Sequence, residues 1–315
     1  MIHPHVQGGI EPKTEASIRR VQLKRTDTEV RDRVAQAPGT DVVEGVAEVR
    51  VAELDPRSHI AWFNLGDTQL YTRHYGAAAR NLERASALAP DLLDGYIARA
   101  TLALHADGDT AIARAIIQAA ADRIPAGQWR PMWGFWALGL ARIVYPDPED
   151  MLRRLGPGRF GLDTATYYSV KGAVLARMAD TAGARRLYDS ARVILEAQVP
   201  VGRSATADDA GIFGSLGVVY AALGRRDEAL AAADRAVATK PVTEDAFEGT
   251  DWIVNRARVR LALGERERAL DDLELALQGP SRLSLNVLRL DPIWAPVRDE
   301  PRLKTAAALG VPKAQ

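Results

Sequence analysis

The stretch AGIFGSLGVVYAALGRRDEALAAADRAVATKP, residues 210–241, decides the fold. Small residues and a closing proline stand at fixed distances within it. Counted from Gly217, these are Ala229 at 12 residues, Ala233 at 16, Ala236 at 19 and Pro241 at 24. This spacing predicts two helices that reverse at Gly224 and cross closely at their small residues.

The same spacing recurs four more times along the chain. Each unit starts at a small residue, reaches small or apolar residues 12, 16 and 19 positions later, and in several cases ends at a proline. The four starting residues are Gly66, Thr101, Gly172 and Ala257. Five units of about 34 residues predict an array of helix pairs.

Helix packing explains why these residue types recur. Small residues at facing positions let two antiparallel backbones approach closely. Gly224 and Gly264 stand where the first helix must end and reverse, a position that favours a left-handed φ. Pro90, Pro125 and Pro241 prevent the second helix from continuing. Each pair leaves an apolar face that only a neighbouring pair can cover, so the sequence predicts an all-α solenoid.

These motifs resemble a known repeat family. The patterns WxxLG at 62–66 and FxxLGxxY at 213–220 resemble the tetratricopeptide repeat (TPR). The resemblance is strong over 59–92 and 210–243, good over 165–198 and 250–283, and weak over 94–127. It implies a right-handed α-solenoid of TPR-like helix pairs with a C-terminal cap.

The positions of proline and glycine along the chain predict five segments. Two prolines and paired glycines near the start indicate disorder, and prolines and glycines between 146 and 161 interrupt the helical pattern. The segments are a disordered stretch over 1–24, an N-terminal TPR-like block over 25–127, an irregular helical connector over 128–163, a C-terminal TPR block over 164–283, and a capping segment over 284–315.

The C-terminal half carries a second resemblance. Its closing stretch LRLDPIWAPVRDEPRL, residues 288–303, is similar to the end of the TPR regions of bacterial Ser/Thr kinases and of TolB-like or adenylate-cyclase-associated signalling proteins. Ala295, Val297 and Leu303 depart from that pattern. The glycine-rich loop and the HRD and DFG triplets of a kinase do not occur in the sequence. The resemblance therefore implies a regulatory or scaffolding region.

Composition excludes several classes of function. Lys+Arg and Asp+Glu both number 41, so the chain lacks the positive excess on which nucleic-acid affinity rests. The absence of cysteine excludes disulfides, thiolate nucleophiles and cysteine-bound metals. The longest apolar run, residues 132–141, is about half the ~20 residues that cross a bilayer. With no basic-then-apolar leader at the N-terminus, the expected compartment is the cytoplasm.

Candidate chemical motifs have ordinary structural interpretations. The stretch GPGRFG at 156–161 fits the GxGxxG pattern of a dinucleotide site, but a short helical piece precedes it where a strand is required, so a loop is favoured. Trp129, Trp133 and Trp136 could form an aromatic ligand shelf, although their spacing also suits the core face of one helix.

Titratable residues do not form a recognisable catalytic or metal set in the sequence. His74 and His105 fall near turns, where a solvated polar residue is unremarkable. The adjacent pairs Asp208-Asp209 and Asp271-Asp272 are expected on solvated surface, because adjacent residues on a helix point in different directions. We therefore expect no catalytic residues, no metal and no cofactor.

The candidate binding surface is the concave groove formed by the first helix of each pair. Positions of these helices that are not used for packing would meet a protein or peptide partner. The predicted groove residues are Phe63, Asp67, Leu70, Tyr71, Ser169, Arg177, Val254 and Arg258. The leading hypothesis is a non-enzymatic scaffold for protein or peptide partners in bacterial signalling. The alternatives are a ligand- or peptide-sensing regulator and, less favoured, an enzyme built on an α-solenoid.

Overall fold

The computed structural model describes residues 52, 54–125, 137–154 and 164–310. Residue contacts divide the chain into two units, Met1–Pro56 and Arg57–Gln315. In the first unit the described residues are Ala52 and the piece 54–56, and Ala52 is fully buried. The expectations for the 1–24 segment, the three tryptophans of 129–136 and the GxGxxG motif at 156–161 lie outside the described residues.

All regular secondary structure within the described ranges is helical, which confirms the all-α prediction. Two 3-10 helices, Ala207–Asp209 and Pro292–Trp294, accompany fourteen α-helices there. In chain order the α-helices are α1 (His59–Tyr71), α2 (Tyr75–Leu88), α3 (Leu93–Ala106), α4 (Thr110–Arg123), α5 (Ala137–Val144), α6 (Pro148–Arg154), α7 (Thr164–Arg177), α8 (Thr181–Gln198), α9 (Ala210–Ala222), α10 (Arg226–Thr239), α11 (Glu248–Ala262), α12 (Arg266–Gln278), α13 (Leu285–Leu290) and α14 (Pro301–Leu309).

Ten of these helices form five hairpins that match the five units counted in the sequence. The pairs are α1–α2, α3–α4, α7–α8, α9–α10 and α11–α12, and the two helices of each pair pack along each other. Successive pairs stack, since α2 contacts α3, α8 contacts α9 and α10 contacts α11. The short helices α5 and α6 stand between the second and third pairs.

Small residues set the distance between paired helices. A methyl group added at Gly66 would lie 2.7 Å from Cγ of Leu82 on the partner helix. At Gly217 it would lie 3.3 Å from the carbonyl oxygen of Ala229. A larger residue at either position would push the two backbones apart, so the predicted role of these glycines is the observed one.

The turn inside each pair uses a left-handed residue. Gly224 and Gly264 have φ values of 78° and 79° at this position, as the sequence indicated. Arg73 and Ala179 take φ values of 64° and 63° at the equivalent turns of their pairs. A residue with a Cβ adopts this conformation at a cost of about 1–2 kcal/mol, so the connection itself requires the left-handed turn.

Apolar cores run from one pair to the next. One core contains Leu104 of α3, Ile117 of α4, Val144 of α5 and Val174 of α7, so the first helix after the 126–136 gap belongs to the array. A second core joins α11 and α12 to the C-terminal segment. Its C-terminal members are Leu288, Trp294, Val297 and Leu303.

The segment after α12 also contacts the first two helix pairs, and we call this contact the seam. It comprises residues 279–291 and Gly310 against the C-terminal ends of α1 and α3. The amide of Ser281 donates to the Tyr71 carbonyl at 3.1 Å. Nδ2 of Asn286 donates to the carbonyls of His105 and Ala106 at 3.1 and 3.0 Å. The array of the second unit therefore closes on itself.

Arg73 ties the same seam from the turn after α1. Its Nη1 donates to the carbonyl oxygens of Gly279 and Gly310, both at 3.0 Å. Carbonyls at a helix C-terminus lack partners within the helix, and a guanidinium satisfies two of them at once. The left-handed turn at Arg73 thus serves both the hairpin and the seam.

Two carboxylates expected on solvated surface are buried. Asp272 is 3% exposed and accepts hydrogen bonds from Arg256 and Arg260 at 2.7 and 2.8 Å. Asp209 is 5% exposed and accepts from Arg203 at 2.7 Å. The expectation is wrong for these two because their side chains face neighbouring elements that carry arginines. The residue before each stays exposed.

A substitution at Ala236 tests whether this residue lies where two helices cross closely. This residue is 1% exposed in a core with Phe213 and Trp252. Ala236→Phe should lower the free energy of unfolding by roughly 1–3 kcal/mol, because the added ring has no space at a close crossing. Chemical denaturation followed by circular dichroism measures this change.

Arg185→Ala provides the matched control on an exposed position of α8. Its free energy of unfolding should stay within about 0.5 kcal/mol of the parent protein. Equal losses for the two variants would show that Ala236 does not lie at a close crossing.

Candidate functional site

The inner face of the array is the side lined by the first helices of the pairs. Two cavities open on it. Five of the eight predicted groove residues line one cavity or the other: Phe63 and Tyr71 the first, and Ser169, Arg177 and Arg258 the second. The structure thus divides the predicted groove into two places with different chemistry.

The first cavity, the Tyr71 cavity, has a volume of about 290 Å³. It is bounded by α1, α3, α5 and the seam. Its lining residues are Phe63, Tyr71, Asp94, Ile97, Thr101, Leu104, His105, Gly139, Leu140, Ile143, Arg282 and Val287. Aromatic and aliphatic walls with a few polar groups are typical of a ligand pocket.

Tyr71 lies at the centre of a cluster of rings and charges. Its ring centroid is 5.0 Å from that of Phe247 and 5.9 Å from the ring of His105, which meets it edge-on. The Arg282 guanidinium lies 4.0 Å from the Phe247 centroid and 5.1 Å from that of Tyr71. These are cation–π distances, so Arg282 from the seam binds the ring of the first pair.

Carboxylates outnumber cations around Arg282. Asp251 forms an ion pair with it and is 2% exposed. Burial raises the pKa of Asp251 to about 7, although Arg282 opposes that shift. Burial likewise raises the pKa of Asp67 to about 6, opposed by Arg282 and reinforced by Asp94. One guanidinium cannot fully stabilise several carboxylates in a low-dielectric site, so this region has an excess of acid.

His105 differs from its expected place on a solvated turn. It is 5% exposed beneath the Tyr71 ring, because the seam covers the end of α3. Burial lowers its pKa to about 3, and the positive charge of Arg73 adds to that effect. His105 is therefore a neutral wall of the cavity at physiological pH.

The second cavity, the Arg258 cavity, has a volume of about 60 Å³. The first helices α7, α9 and α11 line it together with α5 and α8. Its lining residues are Arg142, Ala165, Thr166, Ser169, Val170, Ala173, Val174, Arg177, Leu195, Ser215, Val218 and Arg258. This described lining contains three arginines and no carboxylate.

Arg142 forms an ion pair with Asp291 of the C-terminal segment. Its Nε lies 3.0 Å from Asp291 Oδ1, and its Nη2 lies 2.5 Å from Oδ2. Asp291 is 2% exposed and also accepts a hydrogen bond from the amide of Ile293 at 3.2 Å, which caps the short 3-10 helix. This bidentate pair joins α5 to a residue 149 positions later in the chain.

Arg258 has no such partner. It makes no hydrogen bond or ion pair with any residue in the described ranges. Burial lowers the pKa of Arg258 to about 10, and the charge of Arg142 contributes to the shift. Arg177 stands at the exposed rim, where it donates to the Pro146 carbonyl. The cavity thus contains a positively charged guanidinium, that of Arg258, whose N–H groups donate to none of the described residues.

The remaining predicted groove residues take other places. Leu70 is fully buried and does not lie on the groove surface, because it belongs to a core with Ala78 of α2 and Leu102 of α3. Val254 packs against the core of α11 and α12. Asp67 is partly buried beside Arg282.

Four important residues of the site were missed at the sequence level: Arg142, Asp251, Arg282 and Asp291. Arg142 lies on α5, outside the repeat spacing, and the other partners come from the seam or from across it. The only signal available was the Asp291-Pro292 dipeptide, which indicated a helix start. It gave no indication of a partner on α5.

Among the described residues, no group of three His, Cys, Asp or Glu side chains is placed to hold a metal ion. No helix in the described ranges is long and apolar enough to span a bilayer.

No protein-family model and no curated protein matches the chain. Solved helical-repeat structures are similar to it at low identity. The chain of the APC/C hetero-tetramer Cut9-Hcn1 is 14% identical with a TM-score of 0.46, over 93% of this chain and 52% of that one, so this chain spans about half its length.

Two smaller solved proteins are also similar. PilW, a type IV pilus biogenesis factor, is 15% identical with a TM-score of 0.30, over 93% of this chain and 99% of its own. YrrB, a TPR protein with an unusual peptide-binding site, is 15% identical with a TM-score of 0.24, over 84% and 100%. These scores are all below 0.5, so the fold assignment rests on the helix pairs themselves.

The acid excess around Arg282 predicts a pH dependence of stability. The folded protein holds protons on Asp251 and Asp67 up to about pH 7 and 6, whereas an unfolded aspartate loses its proton near pH 4. Their contribution to stability is therefore complete below about pH 4 and is lost as the pH rises through 7. Asp251→Asn should flatten the decline in melting temperature between pH 5 and 8.

Asp271→Asn is the control, because Asp271 is exposed on α12. It should leave the slope of melting temperature against pH unchanged. The assignment is wrong if the Asp251 and Asp271 variants follow the same slope as the parent.

The pair between Arg142 and Asp291 predicts a large loss on removal of one partner. Asp291→Asn keeps a good helix cap but leaves Arg142 as a mostly buried charge without its carboxylate. The free energy of unfolding should fall by about 3 kcal/mol. Urea denaturation of the variant gives the value.

Asp299→Asn is the matched change in the same segment. Asp299 is 90% exposed and lies 3.7 Å from Arg298, so its loss should cost less than about 1 kcal/mol. A similar small loss for Asp291→Asn would mean that the pair does not hold α5 to the C-terminal segment.

Proposed function

We propose that this chain is a non-enzymatic interaction module that binds a protein or peptide partner on the inner face of its helix pairs. One observation carries the proposal: first helices from successive pairs converge on one face, and two cavities with hydrogen-bonding and aromatic groups open there. The outer helices use their apolar faces for packing between pairs, so the inner face is the surface left for recognition.

The Tyr71 cavity supports a partner with a positively charged or aromatic side chain. Phe63 and Tyr71 supply ring surface, and Asp94 brings an exposed carboxylate to the same wall. Buried aromatic anchors contribute most of the binding energy in typical interfaces. A lysine or arginine of the partner would add charge where the surrounding carboxylates exceed the cations.

The biological setting belongs to the same proposal. The closing stretch 288–303 supports a role in bacterial signalling, through its resemblance to TPR regions of regulatory proteins. The cytoplasm is the proposed compartment, and the equal numbers of acidic and basic residues support a partner other than nucleic acid.

A ligand-sensing regulator is the second candidate, and the seam favours it. Direct hydrogen bonds from Ser281, Arg73 and Asn286 hold the last helices to the first pairs. Since these bonds are few and polar, a ligand in either cavity could change the closure of the array. A change in the distance between the ends of the array on binding would favour this candidate.

Phe63→Ala tests the proposed binding face. The immobilised chain captures partners, which mass spectrometry identifies, and the purified partner is then titrated against each variant. We expect at least tenfold weaker binding for Phe63→Ala with helical content unchanged, because the ring lines the cavity. Tyr71 is less suitable, since its ring packs against Phe247 and Arg282.

Arg268→Ala is the control on the outer helix α12, where the side chain is 69% exposed. It should bind the partner as tightly as the parent protein does. If Arg268→Ala weakens binding and Phe63→Ala does not, the partner docks on the outer surface and the inner-face proposal fails.

A further inference from the structure

The Arg258 cavity holds a charge that the fold does not use. Every other arginine that faces the buried side of α11, namely Arg256 and Arg260, pairs with Asp272. Arg258 stands among valines and alanines with no partner in the described ranges. The Arg258 side chain is partly exposed, and its guanidinium borders the cavity with donors that no carboxylate of the described residues occupies. An anion in this cavity could therefore accept hydrogen bonds from the Arg258 guanidinium.

The charged groups that face this guanidinium come from three directions. Arg142 on α5 is paired with Asp291, and the negative charge of Asp291 also acts on Arg258. Arg177 on α7 is at the rim and donates to the Pro146 carbonyl. The Tyr188 hydroxyl on α8 is close enough to act on Arg258 electrostatically, and burial raises the Tyr188 pKa, so it stays neutral. The balance around Arg258 is positive.

The rest of the lining selects the kind of anion. Val170 and Val174 of α7, Leu195 of α8 and Val218 of α9 give the cavity apolar walls. Phosphate or sulfate needs hydrogen-bond donors on several sides, whereas Ser169 and Arg177 already donate to backbone carbonyls and Arg142 donates to Asp291. A carboxylate needs donors on one side only, and a guanidinium fork matches its two oxygens. The apolar walls suit an aliphatic group attached to that carboxylate.

The size of the cavity limits the ligand. A volume of 60 Å³ holds roughly four to six groups the size of a water molecule, at about 10–15 Å³ each. We infer that the Arg258 cavity is a binding site for a short aliphatic carboxylate, whose two oxygens accept hydrogen bonds from Arg258 and whose carbon chain lies against the valines of α7. This site requires no partner at the Tyr71 cavity, so the inference goes beyond the proposed function.

Butyrate is the probe, and nuclear magnetic resonance of the full chain is the measurement. Saturable shifts of amide signals in α7 and α11 are expected with butyrate. Butyramide has the same shape without the charge and should bind at least tenfold more weakly. A tripeptide that ends in valine is tested with a free C-terminal carboxylate and as its C-terminal amide. Binding of the carboxylate form alone would show that the cavity accepts the C-terminus of a peptide.

Arg258→Met separates binding from stability. It removes the charge and keeps an aliphatic side chain, so butyrate should bind at least tenfold more weakly. Its melting temperature without ligand should stay close to that of the parent, because Arg258 makes no hydrogen bond or ion pair with any of the described residues. Arg268→Met, on an exposed position of α12, should leave both properties unchanged.

Four results would overturn the inference. These are no saturable binding of butyrate or of the tripeptide carboxylate, equal binding of butyrate and butyramide, unchanged binding by Arg258→Met, or a lowered melting temperature of that variant, which would make Arg258 a structural residue. Binding of the tripeptide carboxylate alone would support the site and identify its source as a chain end. None of these results affects the capture experiment with Phe63→Ala, so the two proposals can fail separately.

Discussion

The seam between the segment after α12 and the ends of α1 and α3 governs the geometry of the second unit. The last carbonyls of a helix have no partner within it, and here Ser281 and Asn286 donate to those of Tyr71, His105 and Ala106. Because the first two pairs are joined here to the segment that follows the last pair, the array of the second unit is closed. Two cavities open on its inner face.

The seam also separates charge along the inner face. It brings Arg282 into a region where Asp67 and Asp251 already stand, and acid remains in excess there. Further along, Asp291 compensates Arg142, and the charge of Arg258 remains. The whole chain has a formal charge of zero, so this polarity is local. Opposite charges at two places on one face would orient a partner or ligand more than they would tighten its binding.

Repeat spacing predicted what depends on local geometry. Each of the five hairpins spans about 34 residues, and the close crossing at Gly217 and the turn at Gly224 fall within one of them. Small residues at fixed distances therefore predict these features. The sequence also placed Arg177 and Arg258 on first helices, where the second cavity lies. Contacts between distant repeats have no periodic signal. For this reason the pair of Arg142 with Asp291 and the closure at Ser281 were not predicted.

Several arginines elsewhere in the molecule have the carboxylate partner that Arg258 lacks in the described ranges. Arg142, Arg256 and Arg282 each meet an aspartate supplied by another element, so burial of their charge is compensated. Arg256 is two residues before Arg258 on α11 and points towards α12, whereas Arg258 points into the cavity. The carboxylate proposed for the cavity would give Arg258 the kind of partner that Asp272 gives Arg256.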